Sequence, residues 1–315
     1  TAWEERVYIM TPLVSRNSCP VCGSQAFRTL FSESYASDFL RNYLSSSFKD
    51  RGKSDLSLLS ADDFVICVCN QCNLIFQKNI PGPQLSESLY TCWIDGTKLF
   101  EHKVRNRKIA YYKYLSKTVE KLIRQFRKPP SQLTVYDFGM GWGDFCHMAQ
   151  AYGCEVWGSE LAPEQIRYAE SFGIKNIQLQ DIPAEEFDIV NINQVLEHLD
   201  EPVTYLREIA RSLSPTGILR FAVPNGNILS QKLNNKTTAS FQVDLAPHLK
   251  LLAPLEHINC FTTTSVDAML ELANLTPVRL KRASIFDLTL RDIKQKLIWT
   301  QPSSLEVFCT KSKHS

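Results

Sequence analysis

Glycine stands at every second position of one short stretch, Val135-Tyr-Asp-Phe-Gly-Met-Gly-Trp-Gly-Asp-Phe145, and an acid, Asp137, comes two residues before the first of them. The run before Gly139 is β-rich, and a helix-compatible segment follows Gly143. A loop of this kind at the carboxyl end of a strand lets a nucleotide-like ligand lie against bare backbone, where open α/β sheets bind ligands. The dinucleotide fingerprint would need glycine at 144, and Asp144 stands there instead. Glu160 ends the next strand-like run, Cys154–Ser159, 21 residues beyond Gly139. One helix and its return would set that carboxylate beside the glycine loop, where it can accept from both hydroxyls of a ribose. Asp181 follows a third strand-like run, so it can accept from an adenine amine, with Ile182 against the ring.

A second constellation lies near the N-terminus. Cys19-Pro-Val-Cys22-Gly23 and Cys69-Asn-Gln-Cys72-Asn73 are two C-x-x-C turns, and together they supply the four soft ligands of a tetrahedral structural zinc site. Gly23 and Asn73 tolerate the left-handed conformation that closes such turns. Cys67 belongs to a strand, Phe64–Val68, that enters the second turn, so Cys69 is the ligand; Leu74–Gln77 leaves as the next strand. With four thiolates filled, such a metal holds the fold and does not catalyse. Cys92, Cys146, Cys154, Cys260 and Cys309 are scattered and read as small core residues.

The elements that must position these groups follow from the remaining pattern. With 315 residues, 44% of them apolar, the chain can bury a large core, and no apolar run approaches the roughly 20 residues that cross a bilayer. No secretory signal is visible, so the expected compartment is cytoplasmic, with reduced cysteines. Net charge is only +2, yet residues 102–128 hold ten Lys/Arg and a single acid, Glu120. Ile109, Tyr112, Leu115, Val119, Leu122 and Phe126 recur there at helical spacing, which makes the segment a helix with one buried stripe and a solvated basic face. Residues 1–83 form the expected zinc-binding region, with a mobile loop at 45–63; 84–130 form a helical connector; 131–315 alternate strands and helices. Strands are expected at 133–138, 154–159, 176–180, 187–193, 217–223, 277–286 and 304–310, which implies an α/β fold on a parallel sheet. An insertion at 226–256 would roof a pocket on the substrate side.

Several of these segments carry a family resemblance. The D-x-G-x-G-x-G loop, Glu197-His198-Leu199 after the fourth strand, Leu213-Ser-Pro-Thr-Gly217, Val223-Pro-Asn225 and Glu256-His257-Ile-Asn-Cys-Phe261-Thr262 resemble class I S-adenosylmethionine (SAM) dependent methyltransferases of the ubiquinone-biosynthesis-like branch. The four-cysteine region is similar to that of nucleotide-sugar C-methyltransferases, although the C-terminal Rossmann-like domain of those enzymes is not expected here. The resemblance implies a Rossmann-like seven-stranded sheet preceded by a small zinc-binding domain. It implies a SAM site built from Asp137, Gly139, Gly141, Gly143, Glu160, Leu161, Asp181, Ile182, Asn193 and Val195. Tyr90, Gln194 and Asn225 would face the acceptor, and His198 would be the base, with His257 as second choice. The implied reaction is methyl transfer to O or C of a small molecule, a sugar or nucleotide sugar in that subgroup; the basic segment would suit an anionic one. Neither nucleic acid nor membrane is an expected partner, and oligomeric state is open. An RNA methyltransferase and a non-catalytic SAM-fold scaffold are the alternatives.

Overall fold

A computed structural model describes residues 12–49, 51–52, 54–100, 104–233, 246–280 and 303–312. In the N-terminal half, β1 (Leu13–Ser15), β2 (Phe27–Ser34), helix α1 (Asp38–Phe48), β3 (Asp63–Cys69), β4 (Ile75–Gln77) and β5 (Asn79–Pro81) come first. Short helices α2 (Pro83–Ser88) and α3 (Gly96–Leu99) follow, separated by a π-type turn in which Ile94 N–H reaches Leu89 C=O. Helix α4 (Ile109–Ile123) then leads to β6 (Thr134–Phe138), α5 (Asp144–Ala151), β7 (Glu155–Ser159), α6 (Pro163–Ser171), β8 (Lys175–Asn176) and β9 (Phe187–Asn193). The rest comprises α7 (Pro202–Arg211), β10 (Leu213–Pro224), α8 (Asn227–Leu233), β11 (Asn259–Cys260), α9 (Thr263–Leu272), β12 (Leu275–Pro277) and β13 (Ser304–Lys311). Among the described residues no helix is long and apolar enough to cross a membrane.

Seven strands form the central sheet in the order β12-β13-β10-β9-β6-β7-β8, parallel except that β13 runs antiparallel to both of its neighbours. The fold is α/β, as expected. β9 lies at the centre because Phe187–Ile192 is buried throughout and can only be covered on both faces. The order reverses between β6 and β9, so the carboxyl ends of these two strands open a crevice.

The cysteine region shares its sheet with the second half. The order β11-β4-β3-β2 pairs Asn259 with Phe76 and Cys260 with Ile75, so a strand 180 residues downstream completes it. Cys19, Cys69, Cys72, Leu74 and Phe76 pack in one core with Phe187, Phe221, Phe261 and Met269. The described parts of the 226–256 insertion also turn to this region: Leu229, Leu249 and Leu252 are buried with Leu40, Phe48, Leu59 and Trp93.

Some expectations need correction. Residues 45–63 are not a loose loop in their described part, because α1 runs to Phe48 and Leu59 is fully buried in a 3-10 turn, Leu56–Leu59. The third strand ends at Asn176, since Ile177, Leu179 and Ile182 leave the sheet edge to pack on the core. The strand expected at 277–286 is β12 up to Pro277, and 281–286 lie outside the described residues. On α4, Ile109 and Tyr112 are exposed while Leu115, Thr118, Val119 and Leu122 are buried; Tyr111 turns inward in place of Tyr112 because its hydroxyl donates to Asp144 at 2.8 Å.

Candidate functional site

The glycine loop joins β6 to α5, and all three glycines adopt left-handed φ values, 71° at Gly139, 55° at Gly141 and 75° at Gly143. Only glycine takes that conformation without cost. Gly139 has a second reason: a Cβ there would come within 2.5 Å of Val195 Cγ2. The N–H groups of Gly139 and Met140 donate to Ser159 C=O, which ties the loop to the end of β7. Glu160 lands where its spacing predicts. One carboxylate oxygen accepts from Gly141 N–H at 2.9 Å, the other from Leu161 N–H at 2.7 Å and Ala162 N–H at 3.2 Å. Leu161 beside it is 87% exposed. Asp181 is exposed on the turn Leu179–Asp181, and Ile182 is half-buried. Trp142 within the loop turns its ring onto Phe100 and Tyr168, at 4.6 and 5.3 Å between centroids.

A cavity of about 190 Å³ lies against this loop, lined among others by Arg107, Tyr111, Asp137, Gly141, Asn193 and Arg220. Asp137 is buried and accepts from Asn191 Nδ2 at 2.7 Å; burial pushes its carboxyl up to about 7. Arg107 and Tyr111 both hold Asp144. Nothing in the spacing of Arg107 and Tyr111 marks them as site residues. For Arg220 a signal existed: a cation in the middle of the apolar strand Ile218-Leu-Arg-Phe-Ala-Val223 is never buried without a reason.

On the other side of the β9 terminus, Gln194 is exposed with φ 57°, and a 3-10 turn, Leu196–His198, follows. Asn259 of β11 holds that turn, donating to Leu196 C=O and Leu199 C=O, and its own oxygen accepts from Arg16. His198 Nδ1–H donates to Glu256 C=O at 2.9 Å, so the imidazole lone pair sits on Nε2. Tyr90 Oη is 3.5 Å from the same Nδ1, and the His257 ring stands edge-on at 4.8 Å. Burial, then the neighbouring His257, lowers His198 to about 4. Arg51 reaches in from the cysteine region and grips Glu256 with two 2.7 Å bonds. Asn225 is buried, and its oxygen accepts from Asn227 N–H at the start of α8. Glu197 is fully buried, and among the described residues neither carboxylate oxygen has a hydrogen-bond partner; desolvation pushes it up to about 8. Glu197, His198 and His257 offer ligand atoms within 4.8 Å of one another, close enough to share a cation.

The cysteines gather as their spacing predicts. The sulfurs of Cys19, Cys22, Cys69 and Cys72 lie within 4.8 Å of one another, with Cys19–Cys72 at 3.5 Å and Cys22–Cys69 at 3.4 Å. Four thiolates about a zinc at 2.3 Å stand about 3.8 Å apart, so the set fits that ion. Gly23 and Asn73 are left-handed, and their N–H groups close the two turns onto Cys19 C=O and Cys69 C=O. Cys67 stands outside the set, beside the Thr29 hydroxyl.

Residues 102–280, more than half of the chain, match a family model described as a methyltransferase domain. The chain belongs to the methyltransferase domain family. Membership of this family supports S-adenosylmethionine as the cofactor. Among curated proteins the chain is similar to the ubiquinone biosynthesis O-methyltransferases of Xanthomonas oryzae pv. oryzae, 30% identical over 102 residues, covering 29% of this chain and 43% of the relative. It is likewise similar to that of Cereibacter sphaeroides, 31% identical over 109 residues, covering 31% and 44%. The chain thus spans less than half the length of these relatives. Among solved structures, magnesium protoporphyrin IX methyltransferase from Synechocystis PCC 6803 with bound SAH covers 73% of this chain and 99% of its own, at 14% identity and a TM-score of 0.47. An S-adenosylmethionine dependent methyltransferase from Mesorhizobium loti covers 60% and 95%, at 16% identity and a TM-score of 0.42.

Gly139→Ala tests the loop directly. Forcing a Cβ into the left-handed region costs on the order of 1–2 kcal/mol, and the clash with Val195 adds to it, so SAM affinity is expected to fall by at least roughly tenfold. Calorimetric titration with SAM reads this, and an unchanged Kd would mean that the cofactor does not rest on Gly139.

Proposed function

We propose that this methyltransferase moves the SAM methyl group onto a hydroxyl of a small-molecule acceptor, with His198 as the base and a structural zinc on Cys19, Cys22, Cys69 and Cys72. The hydrogen bond from His198 Nδ1 to Glu256 C=O carries the reading, because it fixes the tautomer that can accept a proton through Nε2. The sulfonium methyl is already activated, so the protein has to align the acceptor oxygen with the methyl–sulfur bond and keep water away. Tyr90, Gln194 and the Glu256–His257 segment surround the end of β9 where that oxygen would lie, and Arg51 braces the segment through Glu256. As the methyl moves, the hydroxyl proton passes to His198 Nε2; His257 is the second choice of base. Glu160 and Leu161 take the ribose and adenine side. Asp181 and Ile182 extend that side, and Asn193 and Val195 close it near the methyl group.

Oxygen is favoured as the acceptor atom because the curated relatives that share this stretch are O-methyltransferases. The four-cysteine region keeps a sugar or nucleotide sugar as the acceptor class to try first. A nucleic-acid substrate is disfavoured by the basic segment itself. Arg107, Lys121, Arg124 and Lys128 are paired with Asp144, Glu306, Glu120 and Asp188, so four of its ten cations are met within the domain. The test is transfer of a labelled methyl group to nucleotide sugars, phenols and RNA in parallel. Label in a small hydroxyl compound is the expected result; label in RNA alone would overturn the reading.

A further inference from the structure

Arg220 lies in the middle of β10, 2% exposed, on the wall of the cavity beside the glycine loop. All three nitrogens of its guanidinium donate. Nε donates to Glu306 at 2.8 Å, Nη1 to Asn191 Oδ1 at 2.7 Å and to Asn193 Oδ1 at 3.2 Å, and Nη2 to the Tyr114 hydroxyl at 3.0 Å. An arginine can only donate. Asn191 must therefore turn its carbonyl to Arg220, which leaves its NH₂ facing Asp137, and Asn191 Nδ2 donates to Asp137 Oδ1 at 2.7 Å. The chain of bonds has one direction: every proton points toward Asp137, and the oxygen at its end accepts. A fully buried residue of β10 thus reaches an acid of β6, just before the glycine loop, that it does not touch.

Resting on the assignment of SAM to this cleft, we propose that Arg220 is a positioning residue for the cofactor. By fixing the orientation of Asn191 it favours the ionised form of Asp137, which would face the cationic ligand. SAM brings a sulfonium and an ammonium against one carboxylate, so a buried negative charge beside the loop favours it, whereas a neutral carboxyl does not. The other groups that act on Asp137 are unequal to the task. Asp144 and Glu160 are like charges that oppose its ionisation, as burial does, and only Asn191 and Arg220 support it. Asp144 is in turn held by Arg107 and Tyr111. Glu306 balances Arg220 on the side away from Asp137 and is itself 4.0 Å from Lys121. With Arg220 gone, Asn191 is free to reverse, and the protonated acid becomes the better partner.

The test follows SAM affinity by calorimetry from pH 6 to pH 9 for the wild type, R220K, R220M and N191L. In the wild type SAM binding is expected to weaken as pH falls through about 7. R220M is expected to move that midpoint upward by about one pH unit, so that SAM binds roughly fivefold more weakly at pH 7 yet nearly normally at pH 9. R220K should restore most of the profile. N191L, which cuts the chain of bonds on its other side, should shift it as R220M does, and it carries the test should R220M not fold. A weakening of R220M and N191L that is the same at every pH would show a merely structural role and overturn the proposal. Unaltered affinity in both would also overturn it. Failure of the wild type to bind SAM at any pH would instead overturn the assignment of the cofactor, which separates the two.

Discussion

Cys72→Ser is expected to abolish zinc binding and to unfold the cysteine region together with much of the domain behind it. Structural zinc in finger peptides contributes about 10–16 kcal/mol, which matches or exceeds the entire stability of an ordinary domain, about 5–15 kcal/mol. Here the loss is not confined to a peripheral knuckle. Cys72 is buried in the same core as Phe261 and Met269, and Asn73 C=O, one residue on, accepts from the Thr262 hydroxyl that caps α9. Cys67→Ser is the control, since Cys67 lies outside the four-sulfur cluster. Metal content by mass spectrometry and thermal unfolding decide the matter: one zinc per chain is expected in the wild type and in C67S, and little or none in C72S. Retention of both zinc and melting temperature by C72S would remove the metal from the fold.

The second large effect concerns turnover. His198→Gln should lower kcat by about 10²–10⁴-fold with the acceptor that the methyl-transfer screen returns, and leave the Kd for SAM within about twofold. The split follows from position: His198 lies past the end of β9 with Glu256 and Tyr90, and the glycine loop and Glu160 lie elsewhere in the crevice. The pH profile adds an independent sign. A base must be neutral to work, and burial beside His257 holds the His198 cation off until about pH 4. With SAM held saturating, the acid limb of kcat/KM for the acceptor is therefore expected near pH 4, well below the ordinary histidine value of about 6.5. Normal turnover in H198Q, or an acid limb that survives the substitution unchanged, would pass the role to His257.

What was legible in the sequence divides along physical lines. The glycine loop, Glu160 and the two C-x-x-C turns express local backbone requirements, in which a left-handed φ or a fixed spacing demands particular residues at adjacent positions. Gly139, Gly143, Gly23 and Asn73 accordingly adopt the conformations their types suggest. The pairing of Asn259 with Phe76, the grip of Arg51 on Glu256 and the chain from Arg220 to Asp137 depend on tertiary contacts between distant residues, which no periodicity records. On α4 both tyrosines fit a helical stripe, and a single hydrogen bond to Asp144 decides which one turns inward. Arg220 was readable as an anomaly in an apolar strand, but its partners Tyr114, Asn191 and Glu306 come from three other elements.

The strand shared between β4 and β11 also bears on how the protein is made. β2, β3 and β4 leave the ribosome early, while residues 259–260 follow about 180 residues later. At 5–20 residues per second, that is an interval of roughly 10–40 s. Throughout it the open edge of β4, with Ile75 and Phe76, has no native neighbour and could pair with the same edge on another nascent chain. Zinc captured by the two cysteine turns would stiffen this half-built sheet during the wait. Metal supply during synthesis, more than metal supply to the finished enzyme, would then set how much active protein a cell recovers.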